Sequence, residues 1–157
     1  MTDQPGSQYD DVPVEEHKCD STPDYDVMGF LQLCADRRFH RCLMKRFQDD
    51  AKLDAPEKYW IHADAGGTPA MAHLTAAPDY CYYTKGVKVM GWAAHGGVCG
   101  GFPYADDDEI RRELERVARE KVAKYTKADH YVYFATTREE AADEAVVYCM
   151  KYEKTAD

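Results

Sequence analysis

The stretch GWAAHGGVCGG (residues 91–101) places His95 and Cys99 among glycines, directly after the apolar run GVKVM. Imidazole nitrogen and thiolate sulfur are preferred zinc donors, and glycines let backbone close around a small site. Two donors do not complete a site. A second run, Cys34-Ala-Asp-Arg-Arg38, carries a cysteine at the end of another apolar stretch, with Asp36 and Arg38 just after it. Together the two runs offer two sulfurs and one imidazole. Such a set formally neutralises Zn²⁺ and leaves a fourth position for water or substrate. Asp36 and Arg38 read as a carboxylate kept ionised and oriented by a guanidinium fork.

Distant residues meet only if the elements carrying them are neighbours. VMGFLQL reads as a strand ending at Cys34, and Phe39, Leu43 and Phe47 at intervals of four mark a helix. KYWIH (58–62) is a second strand, closed by ADAGGTP. A helical start follows at Pro69, which Pro78 is expected to interrupt. GVKVMGW (86–92) is the third strand, and Asp106 to Asp108 form the cap and acidic first turn of a long helix. Ile110, Leu114, Val117 and Tyr125 give that helix its buried stripe, and HYVYFA (130–135) is the fourth strand. Thr137-Arg-Glu-Glu140 fits a capping box, which predicts a last helix lined by Ala142, Val146, Cys149 and Met150.

Strand and helix thus alternate four times. The expected fold is a single α/β domain with a mainly parallel central sheet of about four strands flanked by helices. In such sheets a site forms beyond the carboxyl ends of strands where the strand order reverses. With the first and third strands adjacent, the loops after Cys34 and after Trp92 meet there.

These motifs together resemble the β-class carbonic anhydrases: Cys-x-Asp-x-Arg after strand one, Ala65-Gly66-Gly67 after strand two, and a His/Cys pair followed by glycine after strand three. The resemblance covers about residues 28 to 150. It implies that Cys34, His95 and Cys99 hold Zn²⁺, that Asp36 and Arg38 form the catalytic dyad beside it, and that Ala65, Gly66 and Gly67 line the substrate pocket. It further implies reversible hydration of CO₂ to bicarbonate by zinc-bound hydroxide, in a homodimer or higher homo-oligomer. The same fold admits COS or CS₂ hydrolysis, or a closed metal- or bicarbonate-binding module in which Asp36 takes the fourth metal position. The chain departs from the family pattern in two places. It has His95-Gly-Gly-Val-Cys99 where His-x-x-Cys is usual, and Ala63-Asp64 where Arg-Asn usually precedes the turn. His62 and His73 are the imidazoles on hand as proton shuttles.

Blander readings stand beside these. A cysteine at a strand end is often a small buried hydrophobe, and Asp36 with Arg38 could be a helix-start carboxylate and a surface arginine. Cys42 and Cys149 read as packed core. The glycine loop fits neither G-x-G-x-x-G nor the P-loop, and there is no C-x-x-C for thiol redox chemistry. A net charge of −9 over 157 residues argues against non-specific nucleic-acid binding. No run approaches the ~20 apolar residues of a membrane helix, and MTDQPGSQYDDVPVEE has neither the basic start nor the apolar core of a signal peptide. A cytoplasmic location follows as the expectation. Residues 1–25 read as a polar arm, and 26–157 as the zinc-binding catalytic domain.

Overall fold

The computed structural model describes residues 13–22, 26–102, 105–138 and 141–157. Its centre is a five-stranded sheet in the order β2-β1-β3-β4-β5. These are β1 (Gly29–Cys34), β2 (Tyr59–Asp64), β3 (Val89–His95), β4 (Asp129–Arg138) and β5 (Ala141–Tyr152). The first four run parallel, and β5 returns antiparallel to β4. Because β1 lies between β2 and β3, the strand order reverses there, and the ends of β1 and β3 open on one crevice.

Every residue of β1 and of β3 is buried. Strands buried on both faces need a layer on each side, and the alternation of side chains supplies it. Leu31 and Leu33 of β1 pack with Phe39, Leu43 and Phe47 under α1 (His40–Ala51). Cys34 of β1 and Ala94 of β3 face the other way, against Ile110, Leu114 and Ala118 of α4 (Asp107–Lys124). Asp106 caps α4 as its sequence suggests, accepting from the Glu109 N–H at 2.8 Å.

Two expectations are overturned. The segment after Thr137 is not a helix: its described residues continue β4 and then form β5, making five strands in place of four. Val146 to Met150 are five consecutive apolar residues, more than a one-sided helix needs. As a strand they serve both faces, with Val147 and Cys149 toward the α1 core and Met150 and Tyr152 toward the α4 core. Cys149 is therefore partly buried as expected, but on a strand. Glu139 and Glu140 of the supposed capping box lie outside the described residues.

The helix expected from Pro69 is also different. It is two single turns, α2 (Gly67–Ala70) and α3 (Ala76–Asp79), the latter running into a π turn at Tyr80–Thr84. The break comes before Pro78, which sits inside the first turn of α3, where its missing N–H matters least. Of the N-terminal arm, 13–22 have no helix or strand and are exposed; residues 1–12 and 23–25 lie outside the described residues. No helix among the described residues is long and apolar enough to cross a membrane.

Close packing under α1 leaves β3 no room at Gly91. A Cβ there would stand 2.8 Å from Leu31 Cδ1 and 2.9 Å from Phe47 Cδ2. Gly91→Ala is expected to destabilise the fold by about 1–3 kcal/mol, the usual cost of overpacking. Urea denaturation checks this, and an unchanged midpoint would mean the core yields at that point.

Candidate metal centre

Cys34 ends β1 and His95 ends β3, so adjacent parallel strands bring a sulfur and an imidazole to the same crevice, the first from the α4 face and the second from the α1 face, against Phe39. Cys99 arrives from the glycine loop, which folds back through a bridge to Phe102. The donor atoms of Cys34, His95 and Cys99 all lie within 4.8 Å of one another, and all three residues are buried. The two sulfurs are 3.8 Å apart.

The chemistry of these donors suits a metal ion. His95 Nδ1 faces the Gly96 carbonyl at 2.8 Å, a contact that requires the proton on Nδ1 and leaves Nε2 with its lone pair free. Nε2 is buried and has no hydrogen-bond partner among the described residues. Such an orphan is costly without a ligand. Phe39 stacks on the imidazole at 4.8 Å and fixes its plane. Burial pushes the Cys99 thiol up, and the neighbouring Cys34 sulfur adds to the effect. A dication at this point reverses that bias and takes both sulfurs as thiolates.

Asp36 and Arg38 form a bidentate pair at the solvent side of the donors. Arg38 Nε donates to both carboxylate oxygens at 3.1 and 3.0 Å, and Nη2 donates to Oδ2 at 2.7 Å. The Arg38 backbone N–H adds a further bond to Oδ1 at 3.0 Å. These bonds hold the Asp36 carboxyl down at about 2, although partial burial opposes them. Oδ2 stands 3.6 Å from His95 Nε2, so the carboxylate lies beside the donor set. The guanidinium also reaches across to the loop, donating to the carbonyls of Gly97 at 3.2 Å and Val98 at 2.9 Å.

The turn Ala65-Gly66-Gly67 closes the other side. Gly66 donates its N–H to Cys34 Sγ at 3.4 Å. Glycine is required here by contact as well as by conformation. Gly66 and Gly67 have φ of 91° and 64°, and a Cβ on Gly67 would meet the Ala93 carbonyl at 2.5 Å. Gly101 packs backbone to backbone on Gly66, so the second glycine pair of the loop keeps its two turns in contact. Ala65 is exposed at the rim. His62 hydrogen-bonds Gln32 at 3.0 Å, and His73 lies exposed after α2.

The structure thus brings together Cys34, His95, Cys99, Asp36, Arg38, Gly66 and Gly67. Three groups escaped sequence reasoning. Phe39 read only as a helix stripe, although its position just after the Asp–Arg pair was a usable signal. The Gly97 and Val98 carbonyls are backbone and left no trace in residue type. Asp107, which accepts from Gly97 N–H at 2.9 Å, was read as part of an acidic first turn.

No family model and no curated protein matches the chain. Solved structures do. The chain is similar to tetrameric β-carbonic anhydrases from the filamentous ascomycete Sordaria macrospora, at 13% identity over 81% of this chain and 83% of that one, with a TM-score of 0.47. It is similar to β-carbonic anhydrase isoform I from Trichomonas vaginalis, at 13% identity over 85% and 87%, with a TM-score of 0.40. It is also similar to the β-carbonic anhydrase CafA of Aspergillus fumigatus, at 11% identity over 84% and 78%, with a TM-score of 0.44.

Protein purified without added metal is expected to carry about one zinc per chain. His95→Ala should lose it while the fold survives, as elemental analysis beside circular dichroism will read. A wild-type chain without metal would remove the premise.

Proposed function

We propose that this chain is a zinc lyase of the β-carbonic-anhydrase type, interconverting CO₂ and bicarbonate. The observation that carries the reading is the convergence of Cys34, His95 and Cys99 beside an intact Asp36–Arg38 pair. The combined motifs of the sequence, in the same order as in that family, support it.

Held by two thiolates and one imidazole, zinc supplies Lewis acidity that lowers the pKa of water toward the neutral range. The chain's own residues do the rest. Asp36, kept ionised by Arg38, offers a fixed acceptor at the edge of the donor set and orients the nucleophile by holding its proton. Arg38 keeps that carboxylate from rotating. Gly66 and Gly67 form a wall with no side chains, which suits a small linear substrate. The N–H of Gly66 on Cys34 Sγ steadies a sulfur that must carry negative charge. Exposure runs in the right direction for such a site. The triad is buried, whereas the side chains of Asp36 and Arg38 are 26% and 49% exposed, so substrate reaches the centre past the dyad. With both Asp36 oxygens engaged by Arg38, the open form of the site is favoured over the closed module.

Stopped-flow CO₂ hydration on the zinc-loaded chain tests this. Asp36→Ala should keep its zinc and lose turnover by about 10²–10⁴-fold, the scale of a positioned acid–base group. Undiminished turnover in that variant would defeat the assigned role. A zinc-loaded wild type active only on COS or CS₂ would reassign the substrate, and one inert to all three would make it a binding module.

The resemblance also suggests a homodimer in which the polar arm, 1–25, lies on the partner. The exposed Trp60 and Ile61 of edge strand β2 are consistent with a further surface to cover. Deleting 1–25 should leave a monomer or an insoluble chain by light scattering. A soluble dimer of full activity would discard the arm's role.

A further inference from the structure

The loop between the two metal donors is fastened from two sides. On one side Arg38 takes the carbonyls of Gly97 and Val98. On the other, the Gly96 N–H donates to the Ala135 carbonyl of β4 at 2.8 Å, and the Gly97 N–H donates to Asp107 Oδ1 at 2.9 Å. The second oxygen of Asp107 accepts from the Thr136 hydroxyl at 2.9 Å. One carboxylate therefore ties the glycine loop to β4 and to the start of α4.

The helix dipole does not explain this arrangement. Any of the three aspartates at the start of α4 would satisfy it equally. Asp106 already caps the helix on Glu109, and Asp108 is exposed. Asp107 alone turns toward the loop. Residue 96 is shaped to receive it, since a Cβ there would stand 2.3 Å from the Asp107 carboxylate. Only glycine fits while that carboxylate is in place.

We infer that Asp107 is a positioning residue for the metal centre. Its carboxylate, steadied by Thr136, holds Gly97 so that His95 and Cys99 stand in register before the ion arrives. Asp107 touches neither metal nor substrate and acts through the loop backbone. Donors already in place lose less freedom on binding, so the effect falls on metal affinity. This inference rests on the metal reading above.

Zinc affinity of the full chain, measured by competition with a chromophoric chelator, tests it, with urea unfolding of each metal-free variant alongside. Asp107→Ala should weaken zinc binding by about 10–100-fold, the scale of outer-shell partners. Asp107→Asn keeps an oxygen to accept from Gly97 and should restore most of that affinity. Asp108→Ala, one residue along the same turn, should bind as wild type does. Gly96→Ala should weaken binding in the wild-type background and add little in Asp107→Ala, where the carboxylate it would strike is gone.

Wild-type affinity in Asp107→Ala, or an equal loss in Asp108→Ala, overturns the inference. If Asp107→Ala fails to fold, unchanged affinity in Gly96→Ala overturns it instead. A chain that binds no zinc even as wild type brings down the proposed activity and this inference together. Zinc bound by the wild type with equal affinity in Asp107→Ala brings down the inference alone.

Discussion

Two buried sulfurs and a buried imidazole nitrogen without a hydrogen-bond partner among the described residues share one end of the sheet, and that concentration of donors is the constraint from which the surrounding structure follows. Lone pairs removed from water and left without protons or partners are expensive. Cysteine alone can serve as a small buried hydrophobe, but a buried imidazole whose Nε2 finds no partner among the described residues cannot. Keeping donors there requires that neighbouring groups hold them without satisfying them. Phe39 covers the imidazole face, the Gly96 carbonyl takes the Nδ1 proton, and Gly66 gives Cys34 one weak donor. Each contact orients a donor and leaves its coordinating lone pair free.

The sheet topology makes this possible from residues more than sixty positions apart. Parallel strands side by side end at the same level, so Cys34 and His95 emerge together. The reversal of strand order at β1 and β3 then opens a crevice at their carboxyl ends. The glycines serve the same end. Gly67 against the Ala93 carbonyl and Gly101 against Gly66 allow two turns to approach at backbone distance beside the three donors.

This much was legible in the sequence because several signals, each weak alone, pointed to the same place. An apolar run ending in Cys34, a second ending at Trp92 just before His95, and a clear helical stripe at Phe39, Leu43 and Phe47 between them admit few arrangements. Where signals had two meanings, the reading went astray. Ala142, Val146, Cys149 and Met150 fit a helical stripe, yet Val146–Met150 is equally a strand that packs partly buried residues on both faces. Sequence spacing does not say that the edge of β4 stands open for it. Asp107 was hidden for a different reason. A carboxylate at a helix start is sufficiently explained by the dipole, so nothing in residue type marks one that also faces a loop ten residues earlier.

The loop of His95-Gly-Gly-Val-Cys99 holds strained backbone to a purpose. Gly97 and Val98 adopt consecutive left-handed conformations, with φ of 65° and 66°. For a β-branched residue such as valine this costs about 1–2 kcal/mol. The Val98 side chain gains nothing in return, being 74% exposed. What the conformation delivers is two carbonyls aimed at Arg38, whose N–H groups are then shared between the loop and Asp36. The loop is thereby tied to the Asp36–Arg38 pair as well as to the donors it carries. Through Arg38 the Asp36 carboxylate and the backbone between His95 and Cys99 are joined by one run of hydrogen bonds. The strain at Val98 is then a cost of connection: the backbone gives up a little stability so that the carboxylate and the donor set keep one geometry.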